Sequence, residues 1–382
     1  MSKVVLMGVG DVILDLETHK TAFDGVKHVL ADADFTVCNC DQVYSDKCED
    51  PSGYWQIQVG APPSDPSMLD SIRDANINAI NLGNNHSLDW GYEAVFDCLE
   101  RCKNKGITTF GVGRNIEEAR RPAILEKNGT RIGLLAYCCI GPSGYEATDV
   151  RPGHVPMRAF THYEQWDPQP GTPPLIHTFA NKRDLRDMVD DIAQLRQEVD
   201  VLVVCYHWGV HYIPAIIADY QFEVGHAAVD AGADVIFGNH AHLPKGVEVY
   251  KGKVIYYGMH NFACHGEWQP PAKQPGCKFP ESYLWDWSRF GSLMVERFGR
   301  IPDHESRPTM IAKIVIQDDR IQQVSYVPCY IGDDLAPVAM KQSDERGQIV
   351  YEHFRKISDS QGLNTTFTWE GDEVLIGAGD AE

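Results

Sequence analysis

The sequence predicts an α/β fold with its chemistry gathered at one end of the strands. Three observations carry this. Short apolar runs with no internal charge, such as Val201-Leu-Val-Val-Cys205 and Val235-Ile-Phe237, read as buried strands. Strand, polar loop and helix then recur in that order along the chain. Successive strands also run out into Asp, Asn or His. One such loop would be an ordinary turn, but recurrence at the same end of each strand marks the edge where α/β proteins place a site.

The chain has 382 residues, of which 43% are hydrophobic, enough for one large α/β domain with insertions or for two domains. Asp and Glu number 54 against 34 Lys and Arg, a formal charge of −20. That surface repels nucleic acid and anionic membrane, so neither is expected as a partner. A small-molecule or peptide substrate is expected instead, and a bound cation would let even an anionic one approach. The 11 cysteines are odd in number, form no Cys-x-x-Cys, and fall partly inside apolar runs, as Cys138, Cys139 and Cys205 do. Reduced, buried thiols are expected, not a disulfide framework. No apolar run approaches the ~20 residues of a membrane span, and the first residues carry no signal-peptide pattern, so the expected location is cytoplasmic.

Val4–Gly10 is the first strand and delivers Asp11. Residues 20–32 have helical character. Asp34–Asn39 is the second strand, with Asn39 and Asp41 at its end. After a looser stretch containing Pro51, Gly53, Gly60, Pro62 and Pro63, Asp65 caps a helix carrying Met68, Leu69 and Ile72. Asn78–Gly83 is a third strand, running out into Asn84-Asn85-His86-Ser87-Leu88-Asp89. A helix follows with Val95, Leu99 and Cys102 on one face. Ile107–Phe110 is a short strand. Ala123–Lys127, the Asn128-Gly129 turn and Arg131–Tyr137 form a hairpin. Residues 141–180 are rich in Pro and Gly and read as an active-site flap or insertion. Leu185, Val189, Ile192 and Leu195 step at helical spacing. The strand at 201 ends on His207-Trp208-Gly209. A helix over 220–229 leads to the strand that ends on His240. Val247–Tyr250 and Val254–Tyr257 make a second hairpin, followed by His260. A second long loop, 264–290, holds Trp268, Tyr283, Trp285 and Trp287. Strands at 292–298, 310–317 and 321–327 close the pattern. The stretch from 361 has few apolar residues and is expected at the periphery.

The candidate ligands, in chain order, are Asp11, Asn39 or Asp41, Asn85, His86, His207, His240 and His242. A lone histidine is more often a satisfied core or surface residue, but three at two strand ends reverse those odds. If the backbone is extended at His240-Ala241-His242, both imidazoles point the same way and grip one ion. Carboxylate, amide oxygen and imidazole together suit a divalent metal: Mn, Fe or Zn, or Mg or Ca with more oxygen.

Gly10-Asp11, Asn85-His86-Ser-Leu-Asp89-x-Gly91, His207-Trp208-Gly209, Gly238-x-His240-x-His242 and Gly258-x-x-Asn261-Phe262 together resemble the poly-γ-glutamate synthesis (CapA) family, within the calcineurin-like metallophosphoesterase superfamily. The resemblance spans about residues 4–330. It implies a four-layer α/β/β/α sandwich, metallophosphoesterase-like. A catalytic domain would cover 1–335 with insertions at about 141–180 and 264–290, and 336–382 would be a C-terminal helix and peripheral tail. It also implies Asp11 and His242 on one metal, Asn85, His207 and His240 on a second, Asp41 between them, and His86 as general acid. The sequence departs from the pattern in places. Asp11-Val12-Ile13 lacks the Asp-x-His of the superfamily, Asp41 stands where Glu is usual, and His211 replaces a Glu after His-Trp-Gly. One ion or two therefore fit. His86, His211, His260 and His265, with Asp11, Asp41 and Asp89 to orient them, supply extra proton carriers. The expected activity is metal-dependent hydrolysis of a phosphoester or an amide. The alternative is His/Asp acid–base epimerisation at a Cα of a peptide, and the third reading is a non-catalytic accessory of polymer synthesis.

Overall fold

The computed structural model describes residues 3–15, 18–47, 65–165, 167, 172, 174–264 and 303–379. The first half of the chain gives β1 (Lys3–Ile13), α1 (Lys27–Leu30), β2 (Phe35–Cys40), α2 (Met68–Asp74), β3 (Ala79–Asn81), α3 (Gly91–Asn104), β4 (Thr108–Phe110), β5 (Val112–Gly113), α4 (Ile116–Ala119), β6 (Ala123–Lys127), β7 (Thr130–Cys138), β8 (Gly153–His154), β9 (Ala159–Glu164) and β10 (Leu175–Ala180). The second half gives α5 (Lys182–Leu195), β11 (Val201–Trp208), α6 (Asp219–Ala231), β12 (Val235–His240), β13 (Val247–Tyr250), β14 (Lys253–Tyr256), β15 (Asn261–Cys264), α7 (Asp303–Ser306), β16 (Pro308–Gln317), β17 (Arg320–Ile331), β18 (Pro337–Ala339), α8 (Glu345–Ser360), β19 (Thr366–Glu370) and β20 (Glu373–Gly377).

Two sheets dominate. The larger runs β19-β20-β17-β16-β1-β2-β3-β4, with β15 against the end of β1 and β18 against β17. The smaller runs β13-β14-β12-β11-β7-β6. Alternation along single strands stacks them. Val4 and Leu6 of β1 meet Val203 and Cys205 of β11 in a core between the sheets. Val5 and Met7 face the other way, onto α2 and α3. Leu202, Val204 and Tyr206 face α5 and α6. These three cores define the four layers α/β/β/α.

The strands that matter are parallel. β1, β2, β3 and β4 run together in one sheet, and β7, β11, β12 and β14 in the other. Their C-terminal ends therefore share one rim, and that rim holds Asp11, Asp41, the Asn84–His86 turn, His207 and His240. No helix among the described residues is long and apolar enough to cross a membrane.

Three expectations change. The span 20–32 is mostly turns, with one helical turn at α1. The stretch 141–180, read as a flap or insertion without clear periodicity, contains β8 and the two-stranded ribbon β9–β10. The stretch after 361 forms the β19–β20 hairpin, which extends the larger sheet beyond β17 and buries Phe367 and Val374. An edge hairpin buries only one face, so it needs few apolar residues and reads weakly in sequence. The loop 264–290 with its aromatic residues, the strand expected at 292–298, His265 and the Pro/Gly stretch at 51–63 lie outside the described residues.

Candidate metal centre

Asp11, Asp41 and His242 are buried and offer ligand atoms all within 4.8 Å of one another. Asp41 is central. His207 Nε2 stands 3.5 Å from its Oδ1, and His242 Nε2 stands 3.8 Å from its Oδ2. Both Asp41 oxygens are buried and neither accepts a hydrogen bond of good geometry, the neighbouring Asn39 amide nitrogen being directed to Asp11 instead. A buried carboxylate with no donor is costly unless a cation completes it.

Asp11 is held from several sides. Its Oδ1 accepts from Asn39 Nδ2 at 2.8 Å, its Oδ2 accepts from the His240 amide at 3.2 Å, and its own amide donates to the His260 carbonyl at 2.9 Å. His242 Nδ1 lies 3.7 Å from Asp11 Oδ2 and 2.6 Å from Asn261 Oδ1. Burial and the neighbouring Asp41 carboxylate push Asp11 up to about 7. Burial also acts against the Asp41 charge, but the imidazoles of His207, His86 and His242 outweigh it and hold its pKa low. Two carboxylates this close and this buried repel, and a cation between them would relieve both.

A second group converges on His207. Its Nε2 lies 2.6 Å from Asn85 Oδ1 and 3.2 Å from His240 Nδ1, besides Asp41. One N–H serves only one acceptor, so the other lone pairs face each other. Burial lowers the His207 pKa to about 3, which keeps the ring neutral, as a ligand must be. The donors present thus fit a divalent cation, with Asp11, Asp41 and His242 on one side and Asn85, His207 and His240 on the other.

His86 is fixed by Asp89. Its Nδ1 lies 2.7 Å from Asp89 Oδ2, whose other oxygen accepts from Tyr145 at 3.2 Å. His86 Nε2 then faces Asn85 Nδ2 at 3.1 Å. Burial pulls the His86 pKa down, but the Asp89 and Asp41 carboxylates prevail and raise it to about 9.

Four sequence expectations need correction or refinement. His240 and His242 do not sit on extended backbone: their φ values are +93° and +48°, and the rings part, one to His207 and the other to the two carboxylates. Asn39 is spent on the scaffold: its amide nitrogen goes to Asp11 and its oxygen accepts from Asn81 at 3.0 Å. His260 turns its ring away, 2.8 Å from the Ser306 carbonyl, and serves Asp11 through its backbone. His211 is exposed on the rim, stacked over His240 at 4.5 Å between ring centres and 5.0 Å from His242. Two helpers were not singled out from sequence. Asn84 could have been, since it begins the same turn and its Oδ1 accepts the His86 amide. Tyr145 could not, because it sits in an insertion with no motif around it.

Comparison with known proteins agrees at family level. Residues 5–265 match the family described as bacterial capsule synthesis protein PGA_cap. The PGA biosynthesis protein CapA of Bacillus subtilis is 28% identical over 198 residues, 52% of this chain and 45% of that protein. A probable polyglutamine synthesis accessory protein of Mycobacterium tuberculosis is 31% identical over 185 residues, 46% of this chain and 42% of that protein. The chain thus matches less than half the length of these relatives. Among solved structures, a calcineurin-like phosphoesterase, YfkN of Bacillus subtilis, aligns with TM-score 0.41 and 11% identity over 94% of this chain and 97% of that one. A hypothetical protein from Thermus thermophilus aligns at 0.45 and 13%, over 85% and 98%. With the match running from within β1 to the end of β15, more than half of the chain, the chain belongs to the PGA_cap family of bacterial capsule synthesis proteins.

Proposed function

We propose that the chain is a metal-dependent hydrolase, cleaving a phosphoester or an amide bond, with His86 as general acid. The observation that carries this is Asp41, whose two buried, unpartnered oxygens stand between His207 and His242. A divalent cation held there would polarise a substrate oxygen and lower the pKa of a bound water. The protein's own groups supply the rest. Asp89 takes the Nδ1 side of His86, so Nε2 is the nitrogen that would exchange a proton with substrate, once substrate displaces the Asn85 amide nitrogen that faces it at 3.1 Å. The carboxylates around it keep the ring charged at neutral pH, so it can protonate a leaving atom. One relative is named as a PGA biosynthesis protein and another as a probable polyglutamine synthesis accessory protein, and with the poly-γ-glutamate family resemblance these direct the amide arm of the test to γ-glutamyl peptides.

The test combines elemental analysis with turnover of a simple phosphodiester and of γ-glutamyl peptides. Bound divalent metal and hydrolysis are expected. His86→Ala should keep the metal and lose about 10²–10⁴-fold in turnover. A protein that binds no metal, or a His86→Ala variant with full turnover, ends this reading. One observation favours proton transfer instead: His211 is exposed above His240 and His242, on a different element from the His86–Asp89 pair. Two acid–base groups on separate elements can remove and return a proton at a Cα. Deuterium entering a peptide Cα from heavy water, without bond cleavage, would select it.

A further inference from the structure

The β9–β10 ribbon lies outside the metal centre and has no role in the reading above. Among the described residues, five of the eight large apolar side chains that stand exposed lie on it: Phe160, Tyr163, Leu175, Ile176 and Phe179. Their exposure runs from 48% to 65%. Register places Phe160 and Phe179 opposite each other on one face, and Tyr163 and Ile176 on the other. The ribbon is therefore apolar on both faces, unlike a strand that simply covers a core.

Its two edges are treated differently. The outer edge of β10 is closed by α6: the Thr178 amide donates to Asp219 at 3.1 Å, the Ala180 amide to Glu223 at 2.9 Å, and Thr178 Oγ1 accepts from the Tyr220 amide at 3.0 Å. Since Thr178 and Ala180 point outward, their register partners Thr161 and Ala159 point outward on the opposite edge. Among the described residues nothing pairs with that edge. β9 also lacks the devices that usually protect an open edge, having no Lys, no Pro and no bulge.

We propose that β9 pairs antiparallel with β9 of a second copy of this chain, about a two-fold axis at Thr161, joining two ribbons into one four-stranded sheet. The register is self-complementary. Thr161 exchanges both backbone hydrogen bonds with its counterpart, Ala159 meets Tyr163, and Phe160 meets His162. Arg158 of one copy then falls opposite Glu164 of the other, so opposite signs meet at each end of the junction, while each side chain keeps its partner in its own chain, Asp184 for Arg158 and His177 for Glu164. Side chains of a strand added here flank apolar groups on both faces, which suits a ribbon exposed on both. Of the exposed apolar groups only Phe160 and Tyr163 lie on the pairing strand; with roughly half of 150–250 Å² each in water they offer on the order of 200 Å² per copy, so the interface is small and rests mainly on the backbone hydrogen bonds of strand addition.

Sedimentation velocity of the whole protein at physiological salt tests this. A dimer is expected in the micromolar range. Thr161→Pro removes an outward amide and no ribbon hydrogen bond, and Phe160→Lys places a charge against His162 of the copy. Each should raise the dimer dissociation constant at least tenfold, with melting temperature and near-ultraviolet circular dichroism unchanged. A monomeric wild type, or variants that dimerise as before, would overturn the proposal. A monomer that co-sediments with phosphatidylglycerol vesicles would overturn it in favour of a lipid surface.

Discussion

At the scale of single residues, Asp41 is the position that most separates this chain from an ordinary folded domain. It is a fully buried carboxylate with no hydrogen-bond donor, close to a second buried carboxylate. A bound cation would complete such an arrangement. In the metal-stripped protein Asp41→Asn removes two opposing effects, the repulsion that adds to burial in raising Asp11 and the attraction of the imidazoles that holds Asp41 low, so stability without metal should change by less than about 1 kcal/mol. The same variant should lose the response to metal. Wild type should gain about 2.7 kcal/mol at a cation concentration one hundred times the dissociation constant. Urea unfolding with chelator and with Mn2+ reads both effects. A variant stabilised by metal as strongly as wild type would remove Asp41 from the centre.

At the scale of elements, the end of β1 decides where Asp11 points. β1 pairs with β16, β2 and the short β15, and a register shift falls next to Asp11 in the last two pairings. Gly10 makes this possible. A Cβ on it would sit 1.9 Å from the His260 carbonyl oxygen, the acceptor of the Asp11 amide. Gly10→Ala must push β1 and the 258–260 turn apart. We expect a loss of about 1–3 kcal/mol, as for overpacked cores, together with weaker metal binding. Calorimetry with and without Mn2+ checks it. If stability falls while the metal-induced shift in melting temperature is unchanged, Asp11 is not positioned through this contact. The amides of Asn39 and Asn81 extend the same support, linking Asp11 in β1 through β2 to the end of β3.

At the scale of the whole molecule, the closed sandwich keeps histidines neutral that water would protonate. Burial lowers His154 to about 4 and His260 to about 3, from 6.5. The unfolded chain takes up protons on both below about pH 6.5, whereas the fold does not until the lower values. Their contribution is therefore complete above pH 6.5 and is lost as pH falls toward 4 and then 3. Stability of the metal-free protein should decline through that window, with a slope of up to about 1.4 kcal/mol per pH unit for each ring. His154→Gln should flatten the curve between pH 6.5 and 4, and an unchanged slope would mean that His154 meets water in the folded state.

Much of the fold was legible because it rests on local signals. The uninterrupted apolar runs of β1 and β11 record strands buried on both faces, and the helical spacing of Leu185, Val189, Ile192 and Leu195 marks the face of α5 that packs on the smaller sheet. The polar residues ending each parallel strand named the rim. The sequence by itself determined the α/β class, the end of the strands that carries chemistry, and the residue types offered there; the four layers were implied only through the family resemblance. Tertiary structure alone decided how those groups face one another. It turned His240 and His242 to different partners through positive φ, assigned Asn39 to support Asp11, turned the buried His260 ring away from the site to the Ser306 carbonyl, and brought Tyr145 onto Asp89 from an insertion without a motif. It also made strands of residues 366–377 and left one edge of β9 open. The physical reason is the same in each case. Side-chain periodicity is written in neighbouring residues, whereas the partner of a buried polar atom is set by contacts that close across the chain only when the sheets stack.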